Sequence, residues 1–410
     1  MNIDTILAQI NEAACLRELA EMVQMKSYTE TEGEQALAEL MYKKMSGLGL
    51  EAQLLPVEGN RVDAIGRLKG TGGGHSLLFN GHLDTNPATE GWTVDPWGGL
   101  IDSGFIYGIG VSNMKAGDAA YWCAVKTVVE AGVKLKGDVV LTFVVGELQG
   151  GIGTVRAIEQ GVTADYFINA EPTDLAALTL HAGALMFKIE LEGETRHLSK
   201  REEACDALSA AAALVPRINA MTFSESASAL HRSVNRAHIG VIRAGLSKEF
   251  HEWRPPQIAD CARILGTARY APSQSRESVL KDIRRLVDAL VLEYPGLKAT
   301  VIPQDEDPNR PNMPPFEVSN NSRIVKSINA AYEKIRGKPQ PTGAIFPPAF
   351  YGTDAAHLAR PRDGGRGMEG VVCGPGGEFN TMPDERVRIC DFIDCVKLYT
   401  LAILDICEQS

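Results

Sequence analysis

In the segment GHLDTNP (Gly81–Pro87), His82 and Asp84 have the types and spacing of a metal ligand and its support. Neutral imidazole binds divalent ions, and residues at i and i+2 of an extended strand point to the same side. Asp84 is therefore expected to accept the second ring N–H of His82 and fix it in the ligating tautomer. The chemistry that such a ligand serves is activation of water and polarisation of a substrate oxygen.

The elements that must position this pair follow from hydrophobic patterning. Short apolar runs such as HSLLFNGH and GDVVLTFVVGE alternate with helical patterns such as GDAAYWCAVKTVVEAG, the alternation of an α/β sheet with covering helices. The polar groups sit where those runs end, which is where open α/β sheets hold their ligands. From about residue 182 the pattern changes. GALMFKIELEG reads as a strand, CDALSAAAALVPRINAM as a helix, RAHIGVIRAG and ADCARILGTARYAP as strands, SRESVLKDIRRLVDALVLE as a helix and LKATVIPQD as a last strand. That is a βαββαβ unit, and the Pro-rich, acidic PQDEDPNRPNMPPFE marks its exit. A chain of 410 residues exceeds the usual size of one core. The expected architecture is an α/β sheet domain, residues 1–181 and 306–410, interrupted by an inserted α+β domain, residues 182–305.

Composition excludes several classes of partner. A net charge of -11 argues against a surface that tracks phosphates, so no nucleic acid is expected. No run is long enough to span a membrane, and the N-terminal segment has helical periodicity with interspersed acids rather than the form of a signal peptide. The eight cysteines are scattered without CxxC spacing, which suits reduced, mostly buried thiols in a cytoplasmic protein.

Four more segments carry chemistry: WTVDPWGGLIDSGFIYGIGVSNMKAG (Trp92–Gly117), VVGELQGGIGT (Val144–Thr154), NAEPTDL (Asn169–Leu175) and GPGGEFNTMPDE (Gly374–Glu385). With GHLDTNP, and with His197 in LEGETRHLS, their order resembles that of the M20 family of metallopeptidases and deacylases across essentially the whole chain. The resemblance implies a catalytic domain of zinc-peptidase type and, for the insert, a lid or dimerisation role. It also implies two metal ions bridged by an Asp. By position, His82 and Glu171 match the private ligands of the first ion, and Glu147 matches the general base. The bridging Asp falls on Asn113, a private ligand of the second ion on Leu148, and the other on Thr381 or, one residue away, Asn380. Leu148 has no donor atom, a Thr hydroxyl is a poor ligand, and Asn113 offers a neutral carbonyl oxygen. The second ion has lost its ligands while everything private to the first survives.

The expectation is a hydrolase with a single, labile divalent ion (Mn, Zn, Co or Fe) on His82, Glu171 and Asn113, with Glu147 as base and Asp84 in support. From the resemblance, His197 reaches a partner subunit's site in a homodimer or higher homo-oligomer and stabilises the oxyanion. Asn235 and Arg269 fall near positions that bind a small anionic substrate. Asp354, in GTDAAHL, resembles a helix N-cap. Glu378, His181 and His357 are candidates to complete the ion's ligands, and the insertion PRDGGRGMEG can cap a substrate or simply be solvated. A weakened Lewis acid suits an activated electrophile, so the substrate is either an amide next to a carboxylate or an amino group on an electron-poor aromatic acid. The alternative from another class is a catalytically dead binding or regulatory protein on the same fold.

Overall fold

LLFNGH and VVLTFV contain too few polar residues to lie at a surface. In the computed structural model, which describes residues 2–251, 255–304, 310–361 and 367–408, both are buried along their whole length as parallel neighbours. The chain divides into two compact units, residues 1–180, 316–349 and 353–410, and residues 181–315 with 350–352.

The first unit is built on an eight-stranded mixed sheet. Its strand order is Glu51–Glu58, Arg61–Leu68, Val139–Val144, Leu77–His82, Tyr166–Asn169, Glu369–Val372, Ala177–Leu178 and Thr342–Gly343. Leu77–His82 runs parallel to both of its neighbours. Helices Glu12–Gln24, Ala116–Glu130, Arg323–Arg336 and Ile389–Ile406 supply much of the core, with Leu19, Tyr121, Val125, Ile328, Phe392 and Tyr399 joining Phe79 and Leu141 of the sheet. Helix Ala116–Glu130 is buried on nearly every side, so it is apolar around most of its circumference rather than along one stripe.

The second unit carries a four-stranded antiparallel sheet in the order Arg236–Gly245, Cys261–Tyr270, Gly183–Glu192 and Lys298–Pro303. Along Gly183–Glu192, Leu185, Phe187, Ile189 and Leu191 are buried while Met186 is exposed, the period of two that a one-sided sheet requires. Helices Ala207–Asn219 and Arg276–Glu293 cover that face through Ala210, Leu214, Ile283 and Leu290. Asp206 caps the first helix by accepting from the backbone of Leu208 and Ser209, and Ser275 with Ser278 forms a capping box on the second. Residues 350–352 group with this unit although they lie far along the chain from it, with Arg236 over the Phe350 ring. The molecule is a mixed α/β protein.

Candidate metal centre

Each central strand delivers one polar group at its C-terminal end. His82 is the last residue of Leu77–His82, Glu147 opens the turn that follows Val139–Val144, and Glu171 lies two residues beyond Tyr166–Asn169. Gly81 leaves room behind this edge, since a Cβ there would lie 2.0 Å from Oδ1 of the buried Asp118. Asn113 comes from an irregular turn, Val111–Lys115, that leads into helix Ala116–Glu130.

These residues converge. His82 Nε2 lies 3.0 Å from Asn113 Oδ1, 3.5 Å from Glu171 Oε1 and 4.0 Å from Glu147 Oε2. Donor atoms of His82, Glu147 and Glu171 all fall within 4.8 Å of one another. Ligand bonds of about 2.0–2.2 Å set neighbouring donors roughly 3.0–3.5 Å apart, so the cluster has the span of a coordination polyhedron. Carboxylates beside the ring favour a proton on it in the metal-free site, which an ion must displace to bind. Burial by itself disfavours a charged His82 ring, yet Asp84 and Glu171 outweigh it and hold the imidazole pKa well above its ordinary value. Burial pushes the Glu147 carboxyl well up, with Glu171 adding to the effect and His82 opposing it.

The three substituted positions meet in one place. Asn113, Leu148 and Thr381 line one narrow cleft together with His82, Asp84 and Glu385. A second ion there would find an amide, an alkyl group and a hydroxyl in place of charged or imidazole donors.

The support of His82 differs from the expected one. Its Nδ1 lies 2.9 Å from the backbone carbonyl of Asp84 and 3.5 Å from the carboxylate. The carboxylate is occupied elsewhere, accepting from the backbone N–H groups of Glu147 at 3.1 Å and Leu148 at 3.2 Å and from the Thr29 hydroxyl at 3.2 Å. Asp84 therefore supports His82 mainly through its main chain and uses its side chain to hold the turn that carries Glu147. Asp354 stands at the N-cap position of helix Ala355–Leu358, but its buried side chain makes no capping bond and accepts instead from Thr154 Oγ1 at 2.6 Å. Glu378 is held by Arg386 and Arg388 at 2.6 and 2.9 Å and, among the described residues, lies outside the donor cluster. His357 Nε2 donates to the Gly150 carbonyl at 2.8 Å, and His181 Nδ1 lies 3.0 Å from the Ala182 carbonyl. Among the described residues neither joins the donor cluster. Residues 362–366 of the insertion lie outside the described residues.

His197, Asn235 and Arg269 belong to the second unit. His197 is exposed and its Nδ1 accepts from the backbone of Ser199 at 3.2 Å. Asn235 donates to Ser226 Oγ at 2.8 Å and accepts from the Ala271 N–H at 2.7 Å, so it also shapes the turn after Cys261–Tyr270. Arg269 lies half-buried on that strand.

Sequence reading passes over Glu385. Its carboxylate accepts from the backbone N–H groups of Ser112 at 2.7 Å, Asn113 at 3.0 Å, Gly110 at 3.1 Å and Thr381 at 3.2 Å, tying the Asn113 turn to the Thr381 turn. Nothing in the local sequence distinguishes this acid from its neighbour Asp384, whose carboxylate binds Thr93 on the exposed side. Polar residues inside apolar strands, Asn80 and Asn169, are the one legible signal of the network beneath the site.

Comparison with known proteins places the chain in a family. The sequence model of peptidase family M20/M25/M40 matches residues 78–405. The chain is 26% identical over 406 residues to an N-formyl-4-amino-5-aminomethyl-2-methylpyrimidine deformylase from Bacillus subtilis (strain 168), covering 89% of this chain and 88% of that protein. It is 25% identical over 308 residues to a succinyl-diaminopimelate desuccinylase from Helicobacter hepaticus, covering 70% and 73% respectively. In fold it is similar to a tripeptidase from Staphylococcus aureus subsp. aureus mu50, with a TM-score of 0.78 at 20% identity over 98% of this chain and 100% of that one. The chain belongs to peptidase family M20/M25/M40 and is a metal-dependent hydrolase of C–N bonds.

Proposed function

We propose that this hydrolase cleaves a C–N bond in a small, carboxylate-bearing substrate using one weakly held divalent ion. The observation that carries the reading is a contrast within one cleft. His82, Glu171 and Glu147 converge within 4.8 Å, while the neighbouring positions are Asn113, Leu148 and Thr381. A family member that had simply decayed would not be expected to keep both private ligands of one ion together with the base.

His82 and Glu171 would hold the ion, with the Asn113 carbonyl as a neutral third donor. A bound divalent ion supplies positive charge that acidifies a water and polarises a substrate oxygen. Glu147 takes the proton of the attacking water and returns it to the departing nitrogen, which requires its carboxylate within hydrogen-bond reach of both. Asp84 keeps that carboxylate in place through the Glu147 and Leu148 N–H groups. With two strong donors where a catalytic zinc site usually has three, binding is weak and the ion is exchangeable; manganese, iron and cobalt suit the oxygen-rich set as well as zinc.

The two relatives named above remove formyl and succinyl groups, which favours an N-acyl substrate; an amino group on an activated aromatic acid is the second substrate class. Asn235 and Arg269 are read as contacts for the substrate's carboxylate or carbonyl, the Arg by its bidentate fork. The residue 182–305 insert serves as lid and dimerisation domain and brings His197 to a partner's site in a homo-oligomer. The eight thiols are all free, which supports a reducing, cytoplasmic setting.

Elemental analysis before and after dialysis, with Mn, Zn and Co titrated back, tests the core of this reading. About one labile ion per chain, lost in His82→Ala, and turnover of N-acyl amino acids abolished in Glu147→Gln, is the expected result. Two ions per chain, or full turnover by Glu147→Gln, would refute it.

A further inference from the structure

One rung below the metal residues, the sheet carries a polar rung. Asn80 pairs in register with Thr142 on one side and Asn169 on the other, and each Asn stands two residues before a metal-binding candidate, His82 or Glu171. In strands this spacing repeats the facing of a side chain. Asn169 Nδ2 donates to Asn80 Oδ1 at 2.8 Å, so a side-chain bond crosses between the two strands beneath the two ligands. Asn80 Nδ2 then donates to Thr154 Oγ1 at 2.9 Å and to Thr142 Oγ1 at 3.2 Å. Thr154 in turn donates to Asp354 Oδ2 at 2.6 Å.

All five residues are buried, at 2% exposure or less. A series of donors that ends on a carboxyl oxygen polarises each member in the same sense, and low dielectric strengthens every link. The far end touches the Glu147 loop: a Cβ on Gly151 would lie 2.2 Å from Asp354 Oδ1, so the loop backbone packs directly on this acid. The network therefore touches the strands of His82 and Glu171 at one end and the loop of Glu147 at the other.

We propose that Asn169, Asn80, Thr154 and Asp354 are positioning residues that set the spacing of His82, Glu171 and Glu147, so that ion affinity depends on groups that touch neither ion nor substrate. This rests on the one-ion reading above. Its physical reason is the shortage of strong donors. When only two strong ligands bind, little affinity is left to reorganise a loose site, and the spacing must be built in beforehand.

The test measures Mn and Zn dissociation constants of the folded, full-length protein by competition with a chelating dye. Thr154→Val keeps the shape and removes the donor; Thr154→Ser restores it. The expected result is an ion affinity about 10-fold or more weaker in Thr154→Val and within about 2-fold of wild type in Thr154→Ser. A structural role alone would lower the melting temperature without changing the dissociation constant of the folded state. Asn169→Ser, which cuts the bond between the two strands, is read in the same way should Thr154→Val fail to fold. Unchanged affinity in the folded variants overturns the network's role and leaves the one-ion reading intact, whereas failure of the wild type to bind any ion overturns both.

Discussion

Asn113 presents its side-chain oxygen 3.0 Å from His82 Nε2, at the place where an Asp would add a full negative charge to the ion's surroundings. Asn113→Asp is expected to tighten divalent binding by about 10-fold, because a carboxylate replaces a neutral carbonyl donor. The stoichiometry measured by elemental analysis should remain at one, since Leu148 and Thr381 still give a second ion nothing to hold. The combined variant Asn113→Asp, Leu148→Glu, Thr381→His should bind two ions per chain. One ion in that variant would mean that the cleft has changed in more than its donors.

Glu385 accepts four backbone N–H groups from two turns. Glu385→Gln keeps the volume but turns donors toward donors and removes the charge. Loss of about 3 kcal/mol of stability is expected in urea unfolding. Ion affinity should also fall, because the Asn113 turn is released; an affinity equal to wild type would show that Asn113 holds its place without this acid.

Burial raises the Asp354 carboxyl from an ordinary value of 3.8 to about 7. In the metal-free protein the folded state then keeps a proton that the unfolded chain releases between about pH 4 and pH 7. The stability due to this group is present below the unfolded value and is lost as pH rises through the folded one. Asp354→Asn removes that loss, so the variant should gain on the wild type as pH rises from 4 to 8, read as the difference in unfolding midpoint under a chelator. A difference that does not vary with pH would contradict the assignment.

Glu378 is engaged by Arg386 and Arg388, and Arg386 also sits among the rings of Phe105, Tyr107 and Phe379. Glu378→Ala should leave ion affinity within about 2-fold of wild type, as expected for a partly exposed ion pair that takes no part in ligation. A large loss of affinity would return Glu378 to the ligand set.

If His197 acts across a subunit boundary, two inactive variants should complement each other. Mixed Glu147→Gln and His197→Ala chains, unfolded and refolded together, are expected to recover turnover, because each mixed dimer holds one site with both groups intact. No recovery, with mixed dimers detected by mass, would assign His197 to its own chain or to no catalytic role.

The local sequence carried the strands of the second unit's sheet and two central strands of the first, because burial leaves its mark in apolar periodicity: the unbroken VVLTFV and the alternating GALMFKIELE read as what they are. It also singled out His82, Glu147 and Glu171, which the fold brings within 4.8 Å of one another, and Asn113, Leu148 and Thr381, which line one cleft beside them. What it could not carry was the partner of each polar group when that partner lies far along the chain. Whether Asp84 meets the His82 ring by its carboxylate or its carbonyl was decided by the Glu147 turn, some sixty residues away, which claims the carboxylate. Asp354 takes the helix N-cap position that the local rule indicates, but its side chain does not cap, because Thr154, 200 residues earlier, donates to its oxygen. Glu385 and the Asn80–Asn169 pair are likewise products of tertiary packing: a buried donor must find an acceptor wherever the fold brings one, and sequence distance does not enter that energy.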